Sequence, residues 1–253
     1  MSLLRSRPFR AVLAATAGLL IAAAGSSAQA GGKRPVVVEL YTSQGCNSCP
    51  PADALLGRLA ERKDVLAMSL PVTYWDMLGW KDTLATDANT RRQKAYAAAM
   101  GRGGVYTPEL IVDGINDVVG SREAAVDAII ASRENDLAMI PIELHATPAE
   151  IHIAVGSGDA NSSATIWLFH ILGKVTVSIG TGENGGHTLT YHNVVRDVKA
   201  VGMWKGQSVT LDLPRNDSPS LPHDSVAVVV QQGGYGRVIG AAQISHPDYA
   251  PLY

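Results

Sequence analysis

The chain has 253 residues, with 21 basic and 23 acidic side chains and a net charge of −2. No basic patch stands out, so nucleic acid is not an expected partner. Two cysteines in this length do not make a disulfide framework, and packing must hold the core.

Residues 1–30 read as a secretory signal peptide. "MSLLRSRPFR" carries three arginines and no acid, an uncharged apolar run follows, and Ala28-Gln29-Ala30 has the small-x-small form of a cleavage site. The apolar run is about 14 residues, too short for a stable bilayer span. The expected mature chain begins near Gly31 and does not span a membrane. Losing Arg5, Arg7 and Arg10 leaves 18 basic against 23 acidic residues, a net charge of −5. The expected location is outside the cytoplasm, in a bacterial periplasm, where disulfides persist.

Residues 31–138 alternate strand and helix signals. "PVVVELY" (Pro35 to Tyr41) is a short β-branched run and reads as a buried strand. The loop "TSQGCNSC" follows. "PPADALLGRLAER" opens with proline and spaces Leu55, Leu56 and Leu59 as a helix does. "DVLAMSLPVTY" reads as a second strand. "TDANTRRQKAYAAAM" is helical, with Asp87, Asn89 or Thr90 as candidate caps. "ELIVDGINDVVG" holds two short strands around the hairpin signal Asp113-Gly114. "SREAAVDAIIASREN" is a capped helix. The order is β-α-β-α-β-β-α, beginning with a parallel βαβ unit. Sites in such sheets lie beyond the carboxyl ends of the strands. That rim receives the cysteine loop and "YWDMLGWKD", where Trp75, Asp76, Trp80, Lys81 and Asp82 are candidates to face a substrate.

Residues 139–253 change character. "IELHATPAEIHIAVGSG", "ATIWLFHILGKVTVSIGTG", "SVTLDLP" and "SVAVVVQQ" alternate apolar and polar residues between turn clusters. A mainly antiparallel β domain, a sandwich, is expected. All seven histidines lie beyond residue 144. His187 and His192, five apart, would point to opposite faces of a strand, so a shared metal is not expected.

Cys46 and Cys49 form the C-x-x-C of "GCNSCPP". Beside a βαβ pattern this spacing is a redox signature. The first sulfur lies at a helix mouth, where the dipole and free N–H groups stabilise a thiolate. The second is near enough to close a Cys46–Cys49 disulfide. On this reading Cys46 faces solvent and attacks, while the more buried Cys49 resolves the mixed disulfide. Cys49 precedes Pro50 and Pro51, so the helix is expected to start late, at Pro51, with Cys49 in its cap. Two other readings of the pair stay open. Two thiolates suit Cu(I). The bridge could also be a structural staple, although a loop this short stabilises little.

"CNSC" and "VYTPELIVDG", in this element order, resemble the thioredoxin-like superfamily over Pro35 to Asn135. The resemblance implies a cis peptide at Thr107-Pro108 facing the cysteines. It also suggests Glu39, an acid within an apolar strand, as a buried proton carrier. More narrowly, "ELYTSQGCNSCPPAD", "YWDMLGWKD", "YAAAMGRGGVYTPELIVDG" and "GENGGHTLTYHNVVR" are similar to the secreted bacterial family called domain of unknown function 1223. Where that family has His and Asp before Tyr-Trp-Asp, this chain has Pro71 and Thr73. The resemblance implies a thioredoxin-like domain followed by a β-rich one, and no substrate. The expectation is an exported thiol-disulfide oxidoreductase without cofactor or metal, acting on exported proteins with thiols or disulfides. Oligomeric state is not legible.

Overall fold

The computed structural model describes residues 34–133, 140–215, 221–245 and 248–249. The expected signal segment and residues 135–139 of the junction lie outside the described residues. The chain is mixed α/β with a large, mostly sheet body.

The first half follows the expected order. Strand β1 (Val36–Thr42) leads through the cysteine loop into α1 (Pro50–Leu59), then β2 (Val65–Pro71), α2 (Asp87–Ala99), β3 (Glu109–Val112), β4 (Asn116–Val119) and α3 (Glu123–Arg133). β1 pairs parallel with β2 and antiparallel with β3. The β3–β4 hairpin turns on Asp113 and Gly114, at φ 48° and 75°. Positive φ at both central residues is what a tight primed turn needs. The cap of α2 is Thr86, not the expected Asp87, Asn89 or Thr90: its hydroxyl accepts from the Asn89 N–H at 3.1 Å.

β1 is buried on both faces, and its alternation divides the core. Val36, Val38 and Leu40 pack under α1 with Ala52, Leu55, Leu56 and Leu59. Val37 and Tyr41 face the other way, onto Leu66, Met68 and Leu70 of β2 and Tyr96 of α2.

The second half supplies β5 (Ile142–Ala146), β6 (Glu150–Val155), β7 (Ala164–Ser178), β8 (Thr188–Trp204), β9 (Val209–Pro214), β10 (Ser225–Gln232) and β11 (Val238–Ile244). Their pairings with one another are antiparallel. The larger sheet crosses from one half into the other, in the order β11-β10-β7-β8-β2-β1-β3-β4. β5, β6 and β9 form a separate three-stranded sheet. It packs Leu144, Ile151, Ile153 and Val155 against Ile166, Val226, Val228 and Val230 of the larger one. The two sheets face each other there but do not close into one body. Within the larger sheet the halves join by one parallel pairing, Ser69 of β2 with Val194 of β8. β8 also crosses α1, where the His192 ring would lie 2.9 Å from a Cβ on Gly57. Among the described residues, no helix is long and apolar enough to cross a membrane.

Candidate functional site

The site forms at the carboxyl end of β1. Ser43 to Cys49 make a tight loop in which the Cys46 N–H donates to the Ser43 carbonyl at 3.1 Å, and the Cys49 N–H to the Cys46 carbonyl at 3.2 Å. Cys46 and Cys49 are joined as a disulfide with Cα atoms 5.4 Å apart. Cys49 is the N-cap of α1 and takes helical angles (φ −81°, ψ −35°) although a proline follows. The helix starts at Pro50, a residue earlier than expected: its missing N–H is one that a first turn leaves unpaired anyway. The Cys49 carbonyl accepts from Ala52 and Asp53.

Cys46 does not face solvent. Both sulfur-bearing residues are fully buried, and only Asn47 and Ser48 between them are exposed. The turn joining β7 to β8, residues 179–187, lies against the main chain of this loop. Asn184 Nδ2 donates to the carbonyls of Gln44 and Cys46, both at 2.9 Å. Glu183 accepts from the Asn47 N–H at 3.1 Å.

Most of the expected rim clamps this loop. Trp80 donates its ring N–H to Gln44 Oε1 at 2.8 Å, and Asp82 accepts from the Gln44 N–H at 2.8 Å. Asp76 in turn accepts from the Asp82 N–H at 3.1 Å. Trp75 lies against Gly45, with its Cβ 3.3 Å from where a Cβ on that glycine would stand. Its ring N–H donates to Thr107 Oγ1 at 2.9 Å. Trp75 thus ties the cysteine loop to the Thr107-Pro108 peptide, which is cis. Lys81 is exposed beside them.

Glu39 is the residue the structure takes out of the site. β1 alternates, so Glu39 shares the face of Val37 and Tyr41 and points away from α1 and Cys49. There it is 1% exposed and closes a two-pronged ion pair with Arg92, at 2.6 and 2.9 Å. Tyr96 and Tyr41 also donate to it, at 2.6 and 3.1 Å. The Arg92 guanidinium lies over the rings of Trp167 and Phe169, each at 4.9 Å. Glu39 is a core ion-pair residue and cannot carry a proton to a sulfur on the opposite face of the sheet.

A different acid stands beside the cysteines. Asp53 lies four residues after Cys49 on α1, and side chains at that spacing are neighbours on a helix. It is 5% exposed, with the buried Thr42 hydroxyl as its polar neighbour, and the Tyr191 hydroxyl is buried too. Burial pushes the Asp53 carboxyl up to about 7, the nearby Thr42 hydroxyl opposes this, and the Asp82 charge adds to it. Burial and the Asp53 and Asp82 charges likewise raise the Tyr191 hydroxyl. In the sequence, Asp53 reads as an ordinary first-turn acid. Its only signal is the four-residue step from Cys49 within a helix whose inner face is otherwise apolar. Among the described residues, no three His, Cys, Asp or Glu side chains gather as a metal site.

The family described as "Protein of unknown function (DUF1223)" matches residues 37–231, from β1 into β10. The chain belongs to this family. A crystal structure of an Agrobacterium tumefaciens protein is similar at 32% identity, with a TM-score of 0.76 over 89% of this chain and 100% of that one. HBP35 of Porphyromonas gingivalis shares the fold at 17% identity, with a TM-score of 0.60 over 86% of this chain and 76% of that one. No curated protein matches the chain.

Proposed function

We propose that this family member is an exported thiol-disulfide oxidoreductase whose first half is a thioredoxin-like domain. The observation that carries the reading is the Cys46–Cys49 disulfide at the entrance of α1, with the buried carboxyl of Asp53 one helical turn further on. A structural staple has no use for a buried titratable acid at that point, because burying an acid costs stability. Thiol exchange has one, because it must place and remove a proton on the sulfur that leaves.

In the oxidising direction, a thiolate of an exported protein attacks Cys46 Sγ. The Cys46–Cys49 bond breaks, and its electron pair leaves on Cys49, which takes the proton held by Asp53. A second thiolate on the partner then attacks the partner sulfur of the mixed disulfide, expelling Cys46 as thiolate. Two partner thiols are oxidised to a disulfide, and the cysteine pair is reduced to a dithiol. In the reverse direction Cys46 attacks a partner disulfide, and Cys49 resolves the intermediate as Asp53 accepts its proton. The Trp75–Thr107 bond and the Trp80–Gln44 bond hold the loop while the sulfurs exchange. The half containing β7 and β8 covers the site.

The test is to trap the intermediate. Cys49→Ser should accumulate mixed disulfides through Cys46 when incubated with exported proteins, and Cys46→Ser should not. Failure of Cys49→Ser to trap any thiol partner, together with tight Cu(I) binding by the wild-type dithiol, would replace this reading with metal delivery.

A further inference from the structure

The cover over the cysteines consists of side-chain groups that reproduce the chemistry of a polypeptide backbone. Asn184 offers amide N–H donors to the Gln44 and Cys46 carbonyls, as the N–H groups of an extended segment would. Glu183 offers a carboxylate oxygen to the Asn47 N–H, where a partner carbonyl could sit. Together these occupy three main-chain groups on both sides of Cys46.

The covering turn is anchored lightly. Thr181 donates to the Gly79 carbonyl at 2.5 Å, and the Trp80 side chain packs on Gly180 and Gly182. Ile179 and Asn184 are buried, but Thr181, Gly182, Glu183, Gly185, Gly186 and His187 are exposed. Gly182 and Gly186 take φ of 78° and 81°, and the turn is held within itself by backbone bonds such as Ile179 N–H to the His187 carbonyl at 2.9 Å and Gly186 N–H to the Ile179 carbonyl at 2.8 Å, so it can move as one unit. Lifting it breaks a few hydrogen bonds and leaves the strands of β7 and β8 in place.

We propose that the β7–β8 turn stands in the docking place of the redox partner. An extended, cysteine-bearing segment of an exported protein displaces Asn184 and Glu183 and pairs its own backbone with Gln44, Cys46 and Asn47, which brings its sulfur to Cys46. This rests on the exchange reading above and adds to it the class of partner and the means of control. Small thiols and folded proteins meet a closed site, whereas an unfolded segment with free backbone groups opens it. The covalent steps are those already written, with the partner's two thiols as reductant.

The test follows reduction of the wild-type disulfide by two probes. One is an uncharged peptide with two cysteines, which supplies both thiols; the other is the same peptide N-methylated along its backbone. Asn184→Ala removes two hydrogen bonds that must break for docking, and the rate with the unmethylated peptide should rise about tenfold. Glu183→Ala, a change at an exposed position, should give a smaller rise in the same direction. The N-methylated peptide cannot donate to Gln44 and Cys46 and should gain much less from Asn184→Ala. The equilibrium against a glutathione buffer should not move, because a displaced cover changes forward and reverse rates together. An unchanged rate in both variants, or an equal gain for both peptides from Asn184→Ala, overturns the proposal while leaving thiol exchange standing. A disulfide that no thiol reduces even in the Asn184 variant overturns both.

Discussion

Arg92 grips Glu39 through two hydrogen bonds across 53 residues of sequence, and both side chains are at most 2% exposed. Such a pair is costly to break from one side, because the remaining charge is left buried. Glu39→Gln should lower the free energy of unfolding by about 3 kcal/mol. The rate of thiol exchange per folded molecule should not change, since Glu39 faces away from the cysteines. Urea unfolding and alkylation kinetics on the same sample check both. A slower exchange rate in a stably folded variant would return Glu39 to the site.

Asp53 should govern pH dependence. Its ordinary carboxyl value of 3.8 rises to about 7 in the folded chain. Between these values the folded chain keeps a proton that the unfolded chain has lost. Stability therefore falls as pH rises from about 4 to about 7 and levels off above that, by on the order of 4 kcal/mol. Asp53→Asn should remove this slope and be the more stable protein at neutral pH. When the dithiol reduces a partner disulfide, Asp53→Asn should also slow resolution by Cys49 without changing the first attack by Cys46; in the oxidising direction it should slow the first attack, which expels Cys49. Unfolding curves at several pH values and stopped-flow kinetics of the two steps measure these effects. A slope unchanged in Asp53→Asn would move the titration to another group.

The dithiol state should remain folded. The bridge closes a loop of sequence separation 3, and constraining so short a loop contributes about 2 kcal/mol by chain entropy. Reduction with a phosphine should shift the urea midpoint slightly and leave a single cooperative transition. Global unfolding on reduction would mark the bridge as a staple.

Gly120 permits the close approach of the β4 end to α1. A Cβ there would lie 2.8 Å from Leu40 Cδ1 and 3.2 Å from Ala52 Cβ. Gly120→Ala should cost about 1–3 kcal/mol through overpacking, read from the urea midpoint. A neutral effect would mean that α1 shifts to make room, and the alkylation rate of the reduced cysteines should then change with it.

The sequence by itself determined the local features. β-branched runs, helical leucine spacing, Asp113-Gly114 and the C-x-x-C step act over a few residues, so the element order and the cysteine loop were readable. The tertiary structure decided on which face of the first sheet each acid lies. Glu39 and Asp53 both look like acids near the motif, and only the alternation of β1 against α1 puts one on the far face and the other beside Cys49. It also decided that β7, β8, β10 and β11 continue the first sheet while β5, β6 and β9 pair apart, because that depends on β2 leaving an edge that β8 can occupy. The cover over Cys46 was equally invisible, since Asn184 lies 138 residues away from it and nothing in a Gly-Glu-Asn-Gly turn specifies what its side chains will meet. Contacts of that separation are set by how two sheet halves join, and single-sequence periodicity carries no record of the joining.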